Sequence, residues 1–176
     1  FASNIRRIQQ FVDAALNWGR KVAFTGRSLV QNVALSKELG ILEIPEDLEV
    51  PLGEVKYLAP EDVCLVTTGS QGEPRAALTR IAMNRHKQIS IGEGDVVVLS
   101  SRFIPGHEIA ITQVINNLHR RGAEVLYEAV SDIHSSGHAY QEELRLLARL
   151  VEPGYYMPVH GEARHLVRHA KLARAM

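Results

Sequence analysis

Two histidines, two serines and a glycine fill the stretch HSSGH, His134 to His138, directly before a helix-like run. Ser135, Ser136 and Gly137 can offer hydroxyls and free N–H groups where a helix begins, which suits an anion such as phosphate. His134 and His138 can donate to phosphate oxygens, and an imidazole gains charge near neutral pH. The plainer reading is a polar turn with satisfied histidines. As a zinc pair the two fit poorly, because four positions across a glycine-containing loop is not the helical i, i+4 arrangement. A second stretch, PVHGE, has the same layout, with His160 where a strand should end. His160 reads as a capping residue or as one ligand of a metal. One His cannot hold catalytic zinc, which takes three protein ligands. The sequence has no His-x-His and no Cys pair, so further ligands would have to come from outside this chain.

These loops need elements to present them, and strand-like and helix-like runs alternate along the chain. Ile5, Ile8, Val12 and Leu16 recur at helical spacing, with Ser3 placed to cap the start. KVAFTG from Lys21 reads as a buried strand, and the next helix runs from about Ser28 to Leu39 and stops at Gly40. About twenty residues rich in Pro and Glu read as a loop or small excursion. Val63 to Thr67 is a second strand, followed by a helix from about Pro74 to Met83 with Pro at its first turn. DVVVLS is a third strand, and its helix carries Ile111, Val114, Ile115 and Leu118 on one stripe and ends at Gly122. AEVLYEAV is a fourth, followed by a helix carrying Leu144, Leu147, Ala148 and Val151. YYMPV is a fifth, and a last helix runs from about Glu162 to the end. The expected fold is therefore α/β: a parallel, Rossmann-like sheet of about five strands with helices on both faces. The β-branched strand runs suggest burial on both sides.

In such sheets ligands collect beyond the carboxyl ends of the strands. The loops at those ends are TGRS, TTGSQGEP, SSRFIPGHE, SDIHSSGHA and PVHGE, all rich in Gly, Ser, His or Arg. The turns at the opposite ends are plain. TTGSQGEP is neither a Walker A nor a GxGxxG pattern. Its glycines either bend the chain or admit a phosphate or a neighbouring loop, with Glu73 presenting a carboxylate. His165 and His169 share the last helix with Arg164, Arg168, Lys171 and Arg174. A solvated basic face is the default there, and RNA contact the sharper alternative. His86, His107 and His119 carry no assigned role, though His107 sits on the same rim.

Net charge is zero with His neutral, so no overall field draws nucleic acid, and any contact must be local. The single Cys, Cys64 in VCLV, excludes an internal disulfide framework, fits a reducing cytoplasm, and reads as a core thiol. No apolar run reaches the roughly 18 residues of a membrane span. The chain opens at Phe1 rather than Met, and the expectation is a segment cut from a longer protein.

Taken in order, FASNIRRIQQ, GRS, TTGSQGEP, SSRFIPGHE, HSSGHA and PVHGE resemble the β-CASP domain of metallo-β-lactamase-fold ribonucleases of the bacterial ribonuclease J kind. The resemblance spans essentially the whole chain, and implies one β-CASP domain over residues 1–176 with the metallo-β-lactamase and C-terminal domains lying elsewhere. It implies that Glu73 and His138 match the family's first two β-CASP motifs and serve catalysis. His134 through His138, together with Ser3 and Asn4, would contact substrate. His160 would match the third motif, the β-CASP residue that joins the metal site. RNA-processing members have His there, and DNA-processing relatives usually have Val.

The resemblance further implies a parent enzyme with two zinc ions, none of them bound by this chain alone. That enzyme would act on single-stranded RNA, favouring a 5′-monophosphate, as a 5′-to-3′ exonuclease with endonuclease capacity in RNA processing and decay. It would be cytoplasmic, unattached to membrane and homo-oligomeric, with the metallo-β-lactamase domain of the same chain as partner. The zinc signature His-x-His-x-Asp-His is absent here. Competing readings are an endonuclease of the polyadenylation-factor type, a non-enzymatic phosphate- or nucleotide-binding module, and an interaction module without a ligand.

Overall fold

The computed structural model describes residues 2–127 and 138–176. The chain forms two compact units, residues 1–134 and 135–176. The first begins with α1 (Ile5–Asn17), whose Ile8, Val12 and Ala15 are buried. The helix is capped by Asn4 rather than Ser3: Asn4 Oδ1 accepts from the Arg7 N–H at 3.2 Å. Leu16, expected on the buried stripe, is half exposed. β1 (Lys21–Thr25) follows, then α2 (Arg27–Glu38). The Pro- and Glu-rich stretch is more than a loop. Its backbone brackets Val22 through bonds from Val22 N–H to Leu48 O and from Val50 N–H to Val22 O. It also sends Leu42 and Leu48 into a core with Ile8, Val12, Phe24, Leu29 and Val33.

β2 (Val63–Thr67) pairs in parallel with β1, Val22 opposite Cys64 and Phe24 opposite Val66. Burial pushes the Cys64 thiol pKa up, against a smaller opposing pull from Arg20, so it stays a protonated core thiol. α3 (Ala77–Ala82) is shorter than its sequence pattern suggests. Residues 73–76 form a turn instead, closed by the Ala76 N–H on Glu73 O at 3.0 Å, and Pro74 lies in that turn. β3 (Val96–Leu99) pairs in parallel with β4 (Glu124–Tyr127). Between them α4 (Glu108–His119) buries Ile111, Val114, Ile115 and Leu118, the stripe read from sequence. These four join Leu78, Ala82, Leu99 and Val125 in a second core.

The expected single sheet of about five strands is not what forms among the described residues. There are two parallel sheets of two strands each, β1–β2 and β3–β4. Runs of β-branched residues need not be covered twice: β1 is buried almost throughout, whereas Val96 and Val98 of β3 are 56% and 47% exposed on the side away from Leu99. The fifth strand is also missing, since residues 152–162 make no ladder. Pro158 has no N–H to give one, and His160 is left-handed at φ 68°. The second unit instead holds α5 (Gln141–Val151) and α6 (Ala163–Arg174). Of the stripe expected on α5, Ala148 is buried while Leu147 and Val151 are exposed.

Beside the packing of Leu78 and Ala82 in the second core, polar bonds join the two halves at the carboxyl ends of their strands. The Gln71 amide donates to Arg102 O at 2.8 Å, and Gln71 Oε1 accepts from the Ile104 N–H at 3.0 Å. The Arg7 guanidinium donates to Ser100 O at 2.8 Å. Gly72, at φ 73°, lies so near α4 that a Cβ would come within 2.6 Å of the Ala110 carbonyl carbon. At the end of β1, Thr25 Oγ1 lies 3.4 Å from His86 Nε2, while His86 Nδ1 accepts from the Ile89 N–H at 3.2 Å. Burial lowers the His86 pKa, and Arg80 lowers it further.

Two outcomes follow. Gly72→Ala meets both a disfavoured φ and main-chain atoms, so it should cost about 1–3 kcal/mol, at about 2–4 °C of Tm per kcal/mol. A melting curve that does not move would overturn the close-packing account. His86 should titrate below the ordinary imidazole value of about 6.5. Because its folded pKa is depressed, its contribution to stability is full above that value and declines as pH falls through the lower folded one. Histidine-resolved NMR titration checks this, and a His86 midpoint at or above the ordinary value would refute it.

Candidate functional site

Ser3, Asn4 and Glu73 belong to the first unit. Ser3 is exposed, and its carbonyl accepts from the Ile5 N–H. Asn4 is spent on the α1 cap. Glu73 is exposed, with its carbonyl closing the turn before α3. These two places flank one loop, residues 100–107. Arg7, one turn beyond Asn4, reaches Ser100, and Gln71, two residues before Glu73, reaches Arg102 and Ile104. His107 lies on the same rim, its Nδ1 3.3 Å from Gln71 O. The glycine-rich loop is thus taken up by its neighbours: Gly72 admits α4 and Gln71 grips the next loop. Gln71 was missed in the sequence because a lone Gln between glycines has no periodicity, and its partners lie about thirty residues on.

His138 and His160 belong to the second unit. Twenty-two positions apart in sequence, their rings stack with centroids 5.7 Å apart and planes 19° from parallel. His134, Ser135, Ser136 and Gly137, the rest of the expected phosphate segment, lie outside the described residues, as does the end of AEVLYEAV beyond Tyr127. The first turn of α5 carries Glu142 and Glu143. Glu143 accepts from the Tyr140 N–H at 2.6 Å, and Glu142 pairs with Arg145 at 2.9 Å. Carboxylates already occupy that helix start and disfavour an anion against its amides.

His160 stands on a tight reversal. Its own φ is 68°, and Gly161 follows at φ 126°, where a Cβ would press on the His165 side chain at 3.2–3.3 Å. His165 Nδ1 accepts from the Glu162 N–H at 3.2 Å, closing the start of α6. On α6, Arg164, Arg168, Lys171 and Arg174 are exposed, and Arg164 pairs with Glu162.

Among the described residues no three His, Cys, Asp or Glu side chains gather as a metal group. A catalytic zinc takes three protein ligands, so the stacked pair does not fit a complete centre, and either imidazole fits only as a contributor to one. Among the described residues no helix is long and apolar enough to cross a membrane.

Comparison with known proteins adds to this geometry. Residues 1–118 match a family model described as the ribonuclease J β-CASP domain. Residues 122–176, which carry both stacked histidines, match one described as a Zn-dependent metallo-hydrolase RNA specificity domain. Ribonuclease J of Mycolicibacterium smegmatis is 45% identical over 173 residues, covering 98% of this chain and 31% of that protein. Ribonuclease J of Helicobacter pylori strain J99 is 41% identical over 175 residues, 99% of this chain and 25% of that protein. Ribonuclease J2 of Bacillus subtilis is 45% identical over 173 residues, again 98% and 31%. The chain spans about a quarter to a third of the length of these relatives. With a family model matched over residues 1–118 and the expected motifs in order, the chain belongs to the ribonuclease J β-CASP family.

Proposed function

We propose that this chain is the RNA-gripping β-CASP part of a zinc-dependent ribonuclease of the ribonuclease J type. The observation that carries the reading is the stacking of His138 on His160, 5.7 Å between centroids, within the segment matched by an RNA-specificity model. Imidazoles 22 positions apart have no local reason to meet, and their stacking, with His160 held at positive φ, supports a shared site.

In this reading the single-stranded RNA phosphate lies against His134, Ser135, Ser136, Gly137 and His138, with Ser3 and Asn4 holding a further part of the strand. Glu73 and His138 serve the chemistry as proton-handling groups. His160 presents one imidazole to a site of two zinc ions, whose other ligands belong to a metallo-β-lactamase domain of the parent chain. The chemistry zinc supplies in such enzymes is activation of a water toward the phosphodiester. The parent is a cytoplasmic homo-oligomer that cuts 5′-to-3′ from a 5′-monophosphate, with endonuclease capacity, in mRNA decay and rRNA processing. The two glutamates at the start of α5 support a grip centred on the histidines rather than on the helix amides.

In the parent enzyme, His138→Ala should lower RNA cleavage by about 10²–10⁴-fold, the usual worth of a positioned proton-transfer group. His160→Ala should lower both cleavage and bound zinc, read by metal analysis. Wild-type rates in both variants would overturn the assignment. The 176-residue chain alone should cut no RNA, and metal-dependent cleavage that survives repurification would defeat that claim.

A further inference from the structure

The run Tyr155–Val159 leads into His160, and its side chains are not equivalent. Tyr155, Met157 and Val159 are 98%, 83% and 72% exposed, whereas Tyr156 is only 37% exposed. Tyr156 is turned onto α6. Its ring meets that of His169 edge-on, at 5.3 Å between centroids and 70° between planes, and Tyr156 Oη and His169 Nε2 share a hydrogen bond of 2.7 Å. Among the described residues it is the one side-chain hydrogen bond from this run to α6. The run makes no ladder, so its backbone has no sheet to fix it. Beyond it, His160 holds a left-handed conformation that costs a non-glycine residue of order 1 kcal/mol or more and persists only where its surroundings impose it. Two imposing contacts are present. His165 holds the Glu162 N–H on the far side of His160, and the Tyr156–His169 pair holds the near side. Both histidines of α6 that sequence reading left on a solvated basic face thus grip the ends of one short strap.

We propose that Tyr156 and His169 form a latch that positions His160. Neither touches substrate in this account; both act through the strap. Losing the bond frees the run 153–159, lets His160 leave its left-handed state and breaks its stack on His138. The functional weight of the latch rests on the reading that His160 serves the parent enzyme's site, but its structural effect does not.

The test therefore has two arms. In the 176-residue chain, histidine ring signals are followed by NMR in Tyr156→Phe, His169→Ala and His169→Gln. Tyr156→Phe keeps the ring and removes only the hydroxyl, and circular dichroism verifies that each variant is folded. The expected result is a shift of the His160 and His138 ring signals in Tyr156→Phe and His169→Ala, no larger in the double variant, with His169→Gln partly restoring them. In the parent enzyme, Tyr156→Phe should lower turnover about tenfold, as loss of a ligand-orienting group does, with the KM for RNA little changed. Unmoved His160 signals in both single variants would overturn the latch, whatever the parent's activity. Normal cleavage by parent His160→Ala would instead overturn the reading of His160 and leave the structural latch standing.

Discussion

Within the first unit, Gln71 ties together two sheets that share no ladder. The β1–β2 and β3–β4 pairs share no ladder, and their cores are separate sets of side chains. The Gln71 amide, aimed at Arg102 and Ile104, ties the exit of β2 to the exit of β3, and Arg7 ties α1 to the same exit. Gly72 makes this possible by letting α4 come up against the loop main chain. These polar bonds, each worth about 1 kcal/mol net, act beside the burial of α1 and α3 in the two cores to hold Ser3, Asn4 and Glu73 beside one rim.

Local patterns were legible in the sequence wherever the deciding interactions were local. The α4 stripe of Ile111, Val114, Ile115 and Leu118 is buried as its spacing requires, and Gly40 follows α2 at φ 67°. Parallel pairing of β1 with β2 and of β3 with β4 follows from strand–helix alternation. The failures were non-local. Nothing in VVVL says that only one side will be covered, and nothing in YYMPV says that no neighbour will pair with it. Pro74 reads equally well as a helix start or as part of the turn that precedes one. Asn4 displaced Ser3 as cap by a single position, a choice side-chain geometry makes and composition does not.

The candidate residues stood out in the sequence by type, and their geometry did not. HSSGH and PVHGE stood out because loops at one end of the strands concentrate His, Ser and Gly. That His138 and His160 would stack could not be read from spacing, because a chain of 22 residues with a helix inside it can return in many ways. The second pairing, Tyr156 with His169, was hidden by the ordinary look of a basic amphipathic helix.

The left-handed backbone at His160 also narrows what can replace it. A β-branched side chain at positive φ is a steric outlier, whereas Asn, Asp or Gly is tolerated. A one-step exchange of His160 for Val is therefore disfavoured on this backbone. The reversal into Gly161 would have to relax first, and a Cβ at Gly161 would crowd the His165 side chain. A β-branched replacement at position 160 therefore calls for companion substitutions that relax the reversal through Gly161.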